Sequence, residues 1–472
     1  MQLAHLYAPS RIGQLLSTYL RRNGLDLAIL VVLTLVAALP RLVLLGDMPP
    51  GLHGDEADAG LEARQILAKG GIGPYSFQAL GVPAGTFYWA AAVFAMLGES
   101  VFTLRLAFAI LGIASISLSY LAFRVMFGRG IAILATLLLA VSAWHLHYSR
   151  IAFVPIGWLP AQMATLLFLF LGLRYGSTVW FALAGAALGA GMYTNQAFPI
   201  FVLGLGMALL WLAASYSRHR LRLFASGVFM MLGVALLVAL PLGTFAGSHP
   251  DVFLGRYRRY SVAESPGYKA ADSFFERARY LAAREGEYIR ALVSDPIPDA
   301  VDAAGVFPLV NPVALGLLSA GLAIALWRAR SPPYAAALII TIVIGIGPAL
   351  VSEGFYRRTL GLTPLLAAIA ALPLSALWDE ARKRSMRLTA LATLTIALAV
   401  GSVAAIDLSR YFTSNPDHPS ARWVYGVEMA EASRYIARFP KDTFVYFYSS
   451  RWSFDYDVRQ FLAPEVKGED RS

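Results

Sequence analysis

The sequence predicts an all-α polytopic membrane protein, and three observations lead to that fold class. First, 58% of the 472 residues are hydrophobic and only 14% are charged, whereas soluble domains carry about 25% charged residues. Second, the apolar residues form long continuous runs. Third, arginines cluster in short segments between those runs, where the orientation of a membrane protein explains them. The net charge of +10 therefore does not indicate nucleic-acid binding.

The apolar runs predict about eleven transmembrane helices, since a helix needs roughly 20 apolar residues, with a range of about 17–25, to cross a bilayer. The predicted spans are Leu25–Gly46, Phe102–Phe123, Ile131–His147, Phe153–Leu173, Thr178–Asn195, Phe198–Ala214, Leu223–Phe245, Pro312–Trp327, Tyr334–Val351, Leu360–Trp378 and Leu388–Ile406. A further apolar segment, Gly85–Gly98, is shorter, and at that length a segment is more often re-entrant or interfacial than spanning.

Basic residues predict the topology, because lysine and arginine accumulate in short cytoplasmic loops. The basic segments contain Arg21 and Arg22, Arg124 and Arg129, Arg174, Arg218 to Arg222, Arg328 and Arg330, and Arg382 to Arg387. They all fall on one side of the membrane only if Gly85–Gly98 does not cross. We therefore expect a multi-pass protein of the plasma (inner) membrane with a cytoplasmic N-terminus and an outer C-terminus.

This topology divides the chain into three parts. Residues 1–24 are predicted to form an interfacial segment on the cytoplasmic surface, and residues 25–406 the transmembrane domain. Two long outer loops, 47–101 and 246–310, belong to that domain. Residues 407–472 are predicted to form a small α/β tail on the outer face, with a helix over Ala421–Phe439 and a strand over Thr443–Ser449.

Candidate catalytic residues lie in the first outer loop, within the run His53-Gly54-Asp55-Glu56-Ala57-Asp58. Three acids within four residues beside a membrane span are costly to hold near lipid without a use. A carboxylate there can remove a proton from an acceptor hydroxyl or amine. Asp55 and Glu56 are the predicted catalytic pair, with His53 and Asp58 contacting substrate. The alternative is that Asp55 and Glu56 cap a short helix following Asp58, where acids favour the N-terminus.

Arginines at outer helix ends are candidate ligands for an anionic group. Arg150, in the run Trp144 to Arg150, is predicted to stabilise a phosphate leaving group. Arg357 and Arg358 oppose the usual charge bias of outer segments, which indicates an anionic partner. In each case the alternative is contact with lipid headgroups. For Arg357 and Arg358, an ion pair with Glu353 is a further alternative. Tyr193 is polar at an outer helix end and is a candidate sugar contact or an interfacial anchor.

These motifs together resemble the GT-C superfamily of membrane glycosyltransferases, in particular the bacterial relatives of protein O-mannosyltransferases and of the aminoarabinose transferase that modifies lipid A. The resemblance extends from Leu25 to about Leu462. It rests on Gly54 to Ala57, Leu97 to Leu106, Tyr148 to Arg150, Asn311 to Gly321, and Arg357 to Pro364. It implies a GT-C-like helical bundle with a re-entrant or juxtamembrane segment.

The resemblance also implies an activity. Members are inverting transferases that use a polyprenyl-monophosphate sugar on the outer face and transfer the sugar to a protein, lipid or glycan acceptor. Asp55 would be the base, Glu56 its partner and Arg150 a ligand of the donor phosphate. The sequence does not require a cofactor, and the use of a divalent cation stays an open alternative.

Two departures from the family pattern bear on this expectation. Many members carry another acid shortly after the Ser-Arg pair, whereas Ile151 to Pro155 follow here, which weakens a metal-dependent mechanism. Many also carry a lysine where this chain has Gly81-Val82-Pro83, which leaves phosphate binding to arginines.

Two competing functions remain at this stage. One is a catalytically inactive GT-C-like subunit that acts as a scaffold in a membrane complex. The other is a transporter of a lipid-linked solute, which would carry inverted symmetry and ionisable residues near the middle of the membrane. The sequence shows neither feature of a transporter.

Overall fold

The computed structural model describes residues 9–77, 81–297, 300–303, 307–351 and 356–471, and most of these are helical. The helices are α1 Pro9–Leu42, α2 Gly54–Lys69, α3 Gly85–Leu97, α4 Val101–Met126, α5 Arg129–Val141, α6 Ala143–Arg150, α7 Trp158–Tyr175, α8 Thr178–Gly191, α9 Phe198–Ser215, α10 Arg218–Ser248, α11 Pro250–Arg259, α12 Pro266–Lys269, α13 Phe274–Val293, α14 Pro312–Trp327, α15 Pro332–Val351, α16 Leu362–Arg384, α17 Met386–Ser409, α18 Pro419–Val424, α19 Val427–Ile436 and α20 Asp457–Leu462. Short 3-10 turns cover Val154–Gly157, Val262–Glu264 and Tyr356–Thr359, and a π-helical turn covers Arg410–Ser414.

The predicted all-α membrane fold is confirmed. In the described part of the chain, seven helical stretches are long and apolar enough to cross a membrane, and the bent pair α5 and α6 adds an eighth. Shorter apolar helices are α3, α8, α14 and the Pro332–Pro348 part of α15. Every predicted span coincides with a helix. That α8, α14 and α15 cross while α3 does not stays a prediction.

The helices form one bundle in which α4 packs against α5 and α7, α8 lies between α7 and α10, and α16 contacts α5 and α14. Glycine permits the closest approaches, because Gly185 of α8 faces the backbone of Met231 and Gly321 of α14 faces the backbone of Ile369. Residues 9–24 of the predicted interfacial segment belong to α1 and continue into the first span without a break. Residues 1–8 of that segment lie outside the described residues.

One predicted span is bent. The run Ile131–His147 divides into α5 and α6, which meet at an angle of 59°. Asp407 accounts for the bend, because its Oδ2 accepts the backbone N–H of Ala143, the first residue of α6, at 2.9 Å, and its Oδ1 accepts from Asn311 Nδ2 at 2.9 Å. A carboxylate at this position satisfies a helix N-terminus that would otherwise lack an acceptor. After the bend, α6 contacts α1, α4 and the π-helical turn.

Residues 47–101, the predicted first outer loop, contact the C-terminal tail. The N–H of Leu52 donates to the carbonyl of Tyr425 at 2.9 Å, and Arg64 of α2 donates to the carbonyls of Gln460 and Phe461 at 3.0 and 2.9 Å. Both segments were predicted to share the outer face, and these contacts place them at the same end of the molecule.

The tail departs from its prediction in one detail. Its predicted helix is two helices, α18 and α19, because Gly426 between them has a φ of +51°, a conformation that glycine adopts without strain. Strand β3, Phe444–Phe447, lies within the predicted strand and pairs in parallel with β4, Lys467–Asp470. A second small sheet joins β1, Tyr75–Ser76, to β2, Val82–Pro83, in antiparallel register.

Site-directed labelling tests the topology directly, because the chain contains no cysteine and single-cysteine variants need no further background changes. We expect Asp47→Cys and Ser450→Cys to react with an impermeant maleimide added outside. Lys383→Cys should react only after the membrane is opened. Labelling of positions 47 and 450 from opposite sides would contradict the arrangement.

Candidate functional site

The site begins at the first turn of α2, which starts at Gly54, five residues earlier than the helix predicted after Asp58. His53 is the N-cap: its Nδ1 accepts the N–H of Asp55 at 2.9 Å, while its own N–H donates to Glu56 Oε2 at 3.2 Å. This reciprocal capping box satisfies two donors that the helix leaves unpaired. It places Asp55 and Glu56 on the first turn, pointing in different directions.

Glu56 points into the protein. Its side chain has no exposed surface, and its two carboxylate oxygens accept from Nε and Nη2 of Arg105 at 2.9 and 3.1 Å. The N–H of Ala152 also donates to Glu56 Oε1 at 3.1 Å. Glu56 therefore joins α2 to α4 and to the segment after α6. Of the predicted catalytic pair, it is the member that acts as a helix cap.

Asp55 points outward into a cavity. Its side chain is 52% exposed, and its Oδ2 lies 3.4 Å from Nη1 of Arg357. Arg357 also holds the buried carboxylate of Asp302, with Nε 2.8 Å from Oδ1. Burial alone would lower the pKa of Arg357, but Asp302 raises it above its ordinary value. One guanidinium thus connects the exposed acid of the first outer loop to a buried acid of the second.

The cavity beside Asp55 has a volume of about 710 Å³. Its charged lining consists of Asp55, Asp58, Arg256, Arg357 and Arg358. His53, Asn195 and Gln196 add neutral polar groups, and much of the remaining wall is apolar. The predicted residues His53, Asp55, Asp58, Arg357 and Arg358 are therefore brought together around one space.

Cations concentrate on one wall of this cavity. The guanidinium carbons of Arg256 and Arg358 lie 5.7 and 5.8 Å from the ring centre of Tyr260. Burial, together with the nearby charges of Arg256 and Arg357, lowers the pKa of Arg358 to about 10. Arg358 is still charged at neutral pH, so the wall is strongly cationic. A bound anion would relieve this mutual repulsion.

A group of acids lies around Asp58. Burial raises the pKa of Asp58 to about 7, and the neighbouring Asp457, Glu62 and Asp55 contribute. At neutral pH a substantial fraction of Asp58 is therefore protonated and can donate a hydrogen bond. Asp457 belongs to α20, so the tail contributes an acid to this group.

Two predicted contacts lie elsewhere. Arg150 is fully buried, and it donates to the hydroxyl of Tyr411 at 3.1 Å and to the carbonyls of Pro40 and Met48 at 2.7 and 3.3 Å. It does not belong to the lining of the cavity that contains Arg357 and Arg358, so its predicted role as a phosphate ligand gains no support from its position. Tyr193 donates its hydroxyl to the carbonyl of Val238 at 2.9 Å, which ties the end of α8 to α10.

No part of the described chain brings three or more His, Asp or Glu side chains together in an arrangement that could hold a metal ion. His145 and His147 are both buried but serve different contacts. His145 lies against Arg41 and Ser115, and His147 donates Nε2–H to the carbonyl of Val301 at 3.0 Å.

Comparison with known proteins identifies the fold. A family model described as dolichyl-phosphate-mannose-protein mannosyltransferase matches residues 82–245. The oligosaccharyltransferase AglB of Archaeoglobus fulgidus, solved with an inhibitory peptide and a dolichol-phosphate, is 15% identical with a TM-score of 0.61, over 95% of this chain and 64% of its own. ArnT of Cupriavidus metallidurans bound to undecaprenyl phosphate is 16% identical with a TM-score of 0.56, over 94% of this chain and 86% of its own. This chain has the GT-C fold.

The expected GT-C architecture is thereby confirmed, including the mainly helical bundle and the small sheet in the tail. The chain spans less than two thirds of the length of AglB. No curated protein sequence matches it.

Within the GT-C fold, three charged residues of the site escaped sequence reasoning: Arg105, Arg256 and Asp302. Arg105 had a visible signal, because an arginine near the start of a membrane span needs a partner. Arg256 and Asp302 lie in a long outer loop of mixed charge, where no spacing distinguishes them from solvent-exposed residues.

Proposed function

We propose that this protein is an inverting glycosyltransferase that moves a sugar from a polyprenyl-monophosphate donor to an acceptor at the outer face of the plasma membrane. One observation carries the proposal: Asp55 and the arginines Arg256, Arg357 and Arg358 line the same cavity. A base and an anion-binding wall around one space are what this reaction needs. The lipid phosphates in the ArnT and AglB structures support the donor class.

The dimensions of the cavity suit the reactants. Sites for small molecules commonly have volumes of about 300–1,000 Å³ with a mainly apolar wall and a few placed polar groups. The volume of about 710 Å³ accommodates a sugar phosphate beside part of an acceptor. Asn195 offers its Nδ2 as a donor to a sugar hydroxyl, because its Oδ1 accepts the N–H of Ala197 at 2.7 Å. Gln196 Nε2 already donates to the hydroxyl of Tyr75 at 2.8 Å.

The proposed reaction is a single displacement. Asp55 removes the proton from the acceptor hydroxyl or amine as that atom attacks the anomeric carbon from the face opposite the phosphate. The bond between the anomeric carbon and the phosphate oxygen breaks, and its electron pair leaves with the polyprenyl phosphate. Arg256, Arg357 and Arg358 stabilise the negative charge that develops on the phosphate. The sugar is transferred with inversion at the anomeric carbon.

The remaining predicted residues receive different roles. Glu56 is proposed as a positioning residue that fixes the first turn of α2 through Arg105, and not as a group that touches substrate. His53 holds the backbone of Asp55 and contributes to the cavity wall. A role for Arg150 in donor binding has no support from its position, since its guanidinium is directed at protein carbonyls and Tyr411.

Replacement of Arg358 by glutamine tests the donor site. We expect the dissociation constant for undecaprenyl phosphate to rise at least about tenfold, since a hydrogen bond to a charged group contributes about 1.5–3 kcal/mol. Binding of undecaprenyl phosphate to the purified unmodified protein and to the purified variant, each in nanodiscs, measures this change. Where transfer is assayed, the KM of the donor should rise and that of the acceptor should not.

The matched control is Arg259→Gln, which removes an exposed arginine one residue from the cation-lined wall and outside the cavity lining. It should bind undecaprenyl phosphate like the unmodified protein. If both variants lost affinity equally, the effect would be explained by general attraction between a basic loop and a lipid phosphate. No loss in the Arg358 variant would remove the donor assignment.

A further inference from the structure

A short piece of the second outer loop is buried in the protein. Residues 300–303 are Ala300, Val301, Asp302 and Ala303, whose exposed fractions are 0, 2, 4 and 3%. Connecting segments almost always run over the surface of a protein, because buried backbone must find hydrogen-bond partners. A buried loop segment that carries a carboxylate is therefore a costly feature that requires an explanation.

Helix α6 supplies partners for this segment. The Nε2–H of His147 donates to the carbonyl of Val301 at 3.0 Å. The hydroxyl of Tyr148 donates to Asp302 Oδ1 at 3.1 Å and lies 3.3 Å from the carbonyl oxygen of Asp302. Consecutive side chains of one rigid helix thus fix both the backbone and the carboxylate of the buried segment. The position of Asp302 is set by the bundle, although the residue belongs to a loop.

Asp302 in turn competes with Asp55 for the charge of Arg357. The distance from Arg357 Nε to Asp302 Oδ1 is 2.8 Å, whereas Arg357 Nη1 lies 3.4 Å from Asp55 Oδ2. The Asp302 side chain is 6% exposed and that of Asp55 is 52% exposed. Charge interactions between buried groups are screened less than those of exposed groups. The guanidinium is therefore held mainly by Asp302.

We infer that Asp302 is a positioning residue that keeps Arg357 in the cavity wall and partly neutralised, so that Asp55 remains available as the base. This inference rests on the proposed function. Loss of the Asp302 charge would strengthen the attraction of Arg357 for Asp55 or for a bound phosphate. The buried segment 300–303 therefore moderates the positive charge beside the reacting atoms.

Other charged and titratable groups also face Asp55, and they bear on how the reaction depends on pH. They are His53 and Asp58 on α2 and its cap, Tyr456 and Asp457 from the tail, and Arg357. A nearby positive charge favours the ionised form of a carboxylate. Loss of Asp302 strengthens the effect of Arg357 on the Asp55 carboxylate and leaves the other neighbours unchanged. The acid limb of the rate profile should then move to lower pH.

Asp302→Asn gives a distinctive result, because the amide can still accept the hydrogen bond of Tyr148 while the charge is lost. We expect undecaprenyl phosphate to bind about three- to tenfold more tightly and kcat to fall about tenfold or more. The acid limb of kcat should move down by about one pH unit, as a newly strengthened opposite charge requires. A residue needed only for folding would weaken binding as well and leave the pH profile in place.

A double variant keeps the test decisive if the single variant is unstable. In Asp302→Asn/Arg357→Gln both charges of the buried pair are removed, and the gain in affinity must disappear because it acts through Arg357. Asp295→Asn is the matched control, since Asp295 is an exposed acid of the same loop, 53% exposed and paired with Arg290. It should leave binding, kcat and the pH profile unchanged.

The outcomes separate this inference from the proposed function. If the unmodified protein binds undecaprenyl phosphate and transfers sugar, but Asp302→Asn weakens binding or leaves both kcat and the pH profile unchanged, the inference is overturned and the function stands. If the unmodified protein neither binds undecaprenyl phosphate nor transfers sugar, the proposed function fails and the role of Asp302 fails with it.

Discussion

Turnover should fall at least about a hundredfold when Asp55 is replaced by asparagine, because a positioned general base typically contributes a factor of about 10²–10⁴. Asparagine preserves the size of the side chain and removes its ability to accept a proton. The affinity for undecaprenyl phosphate should not decrease, since the arginine wall is intact. The rate of sugar transfer by purified protein in nanodiscs, under single-turnover conditions, measures the effect on chemistry.

The thermal stability of the Asp55→Asn variant is the control for this experiment. The Asp55 side chain is 52% exposed and its contact with Arg357 is long, and an ion pair of this kind contributes only about 0–1 kcal/mol. The thermal midpoint of Asp55→Asn should therefore match that of the unmodified protein. Asp47→Asn, an exposed acid earlier in the same loop, should retain full activity. Near-normal transfer by Asp55→Asn would mean that Asp55, like Glu56, only shapes the start of α2.

The fold was predictable because a lipid bilayer requires long apolar helices and biases the placement of basic residues, and both features are visible in the sequence. Apolar length and arginine placement depend on the chain alone, so the helices fall where those patterns indicate. The bend between α5 and α6 was not predictable, since it depends on Asp407, more than 250 residues away in sequence. Nothing in the sequence of the run Ile131–His147 indicates that a distant carboxylate binds there.

The site was predictable in part, for a related reason. Asp55 and Asp58 could be recognised from sequence because clustered acids beside a membrane span are costly. Arg357 and Arg358 could be recognised because they oppose the charge bias expected of an outer segment. The direction in which a side chain points depends on its tertiary partners. Asp55 and Glu56 are adjacent in sequence, yet only the latter meets Arg105. For the same reason, Arg150 resembled a phosphate ligand until its partners were known.

The separation of Asp55 from Glu56 leads to the prediction with the largest effect on stability. Glu56→Gln should destabilise the protein by about 3–5 kcal/mol, because it leaves the guanidinium of Arg105 buried without its counter-charge. Both side chains of this pair are fully buried. The midpoint of thermal or denaturant unfolding in a fixed detergent, compared with that of the unmodified protein, measures the change.

Two further variants show whether the buried charge is the cause. Glu99→Gln breaks the ion pair of Arg64 with Glu99, in which the side chains are 30% and 33% exposed, and should cost only about 0–1 kcal/mol. Glu56→Gln/Arg105→Met removes both charges of the buried pair and should recover much of the loss, since a buried pair is most costly when only one partner remains.

The same variants decide what Glu56 does in the reaction. If Glu56 acts only by fixing the first turn of α2, the Glu56→Gln variant should yield less folded protein. Each folded molecule should retain most of its turnover, because Glu56 does not line the cavity. A catalytic partner of Asp55 would show the reverse, with a normal unfolding midpoint and a loss of kcat comparable to that of Asp55→Asn. Since Glu56 Oε1 also accepts the N–H of Ala152, directly before the cavity residue Phe153, a moderate rise in donor KM is compatible with the first role. A hundredfold loss of kcat in fully folded Glu56→Gln is compatible only with the second.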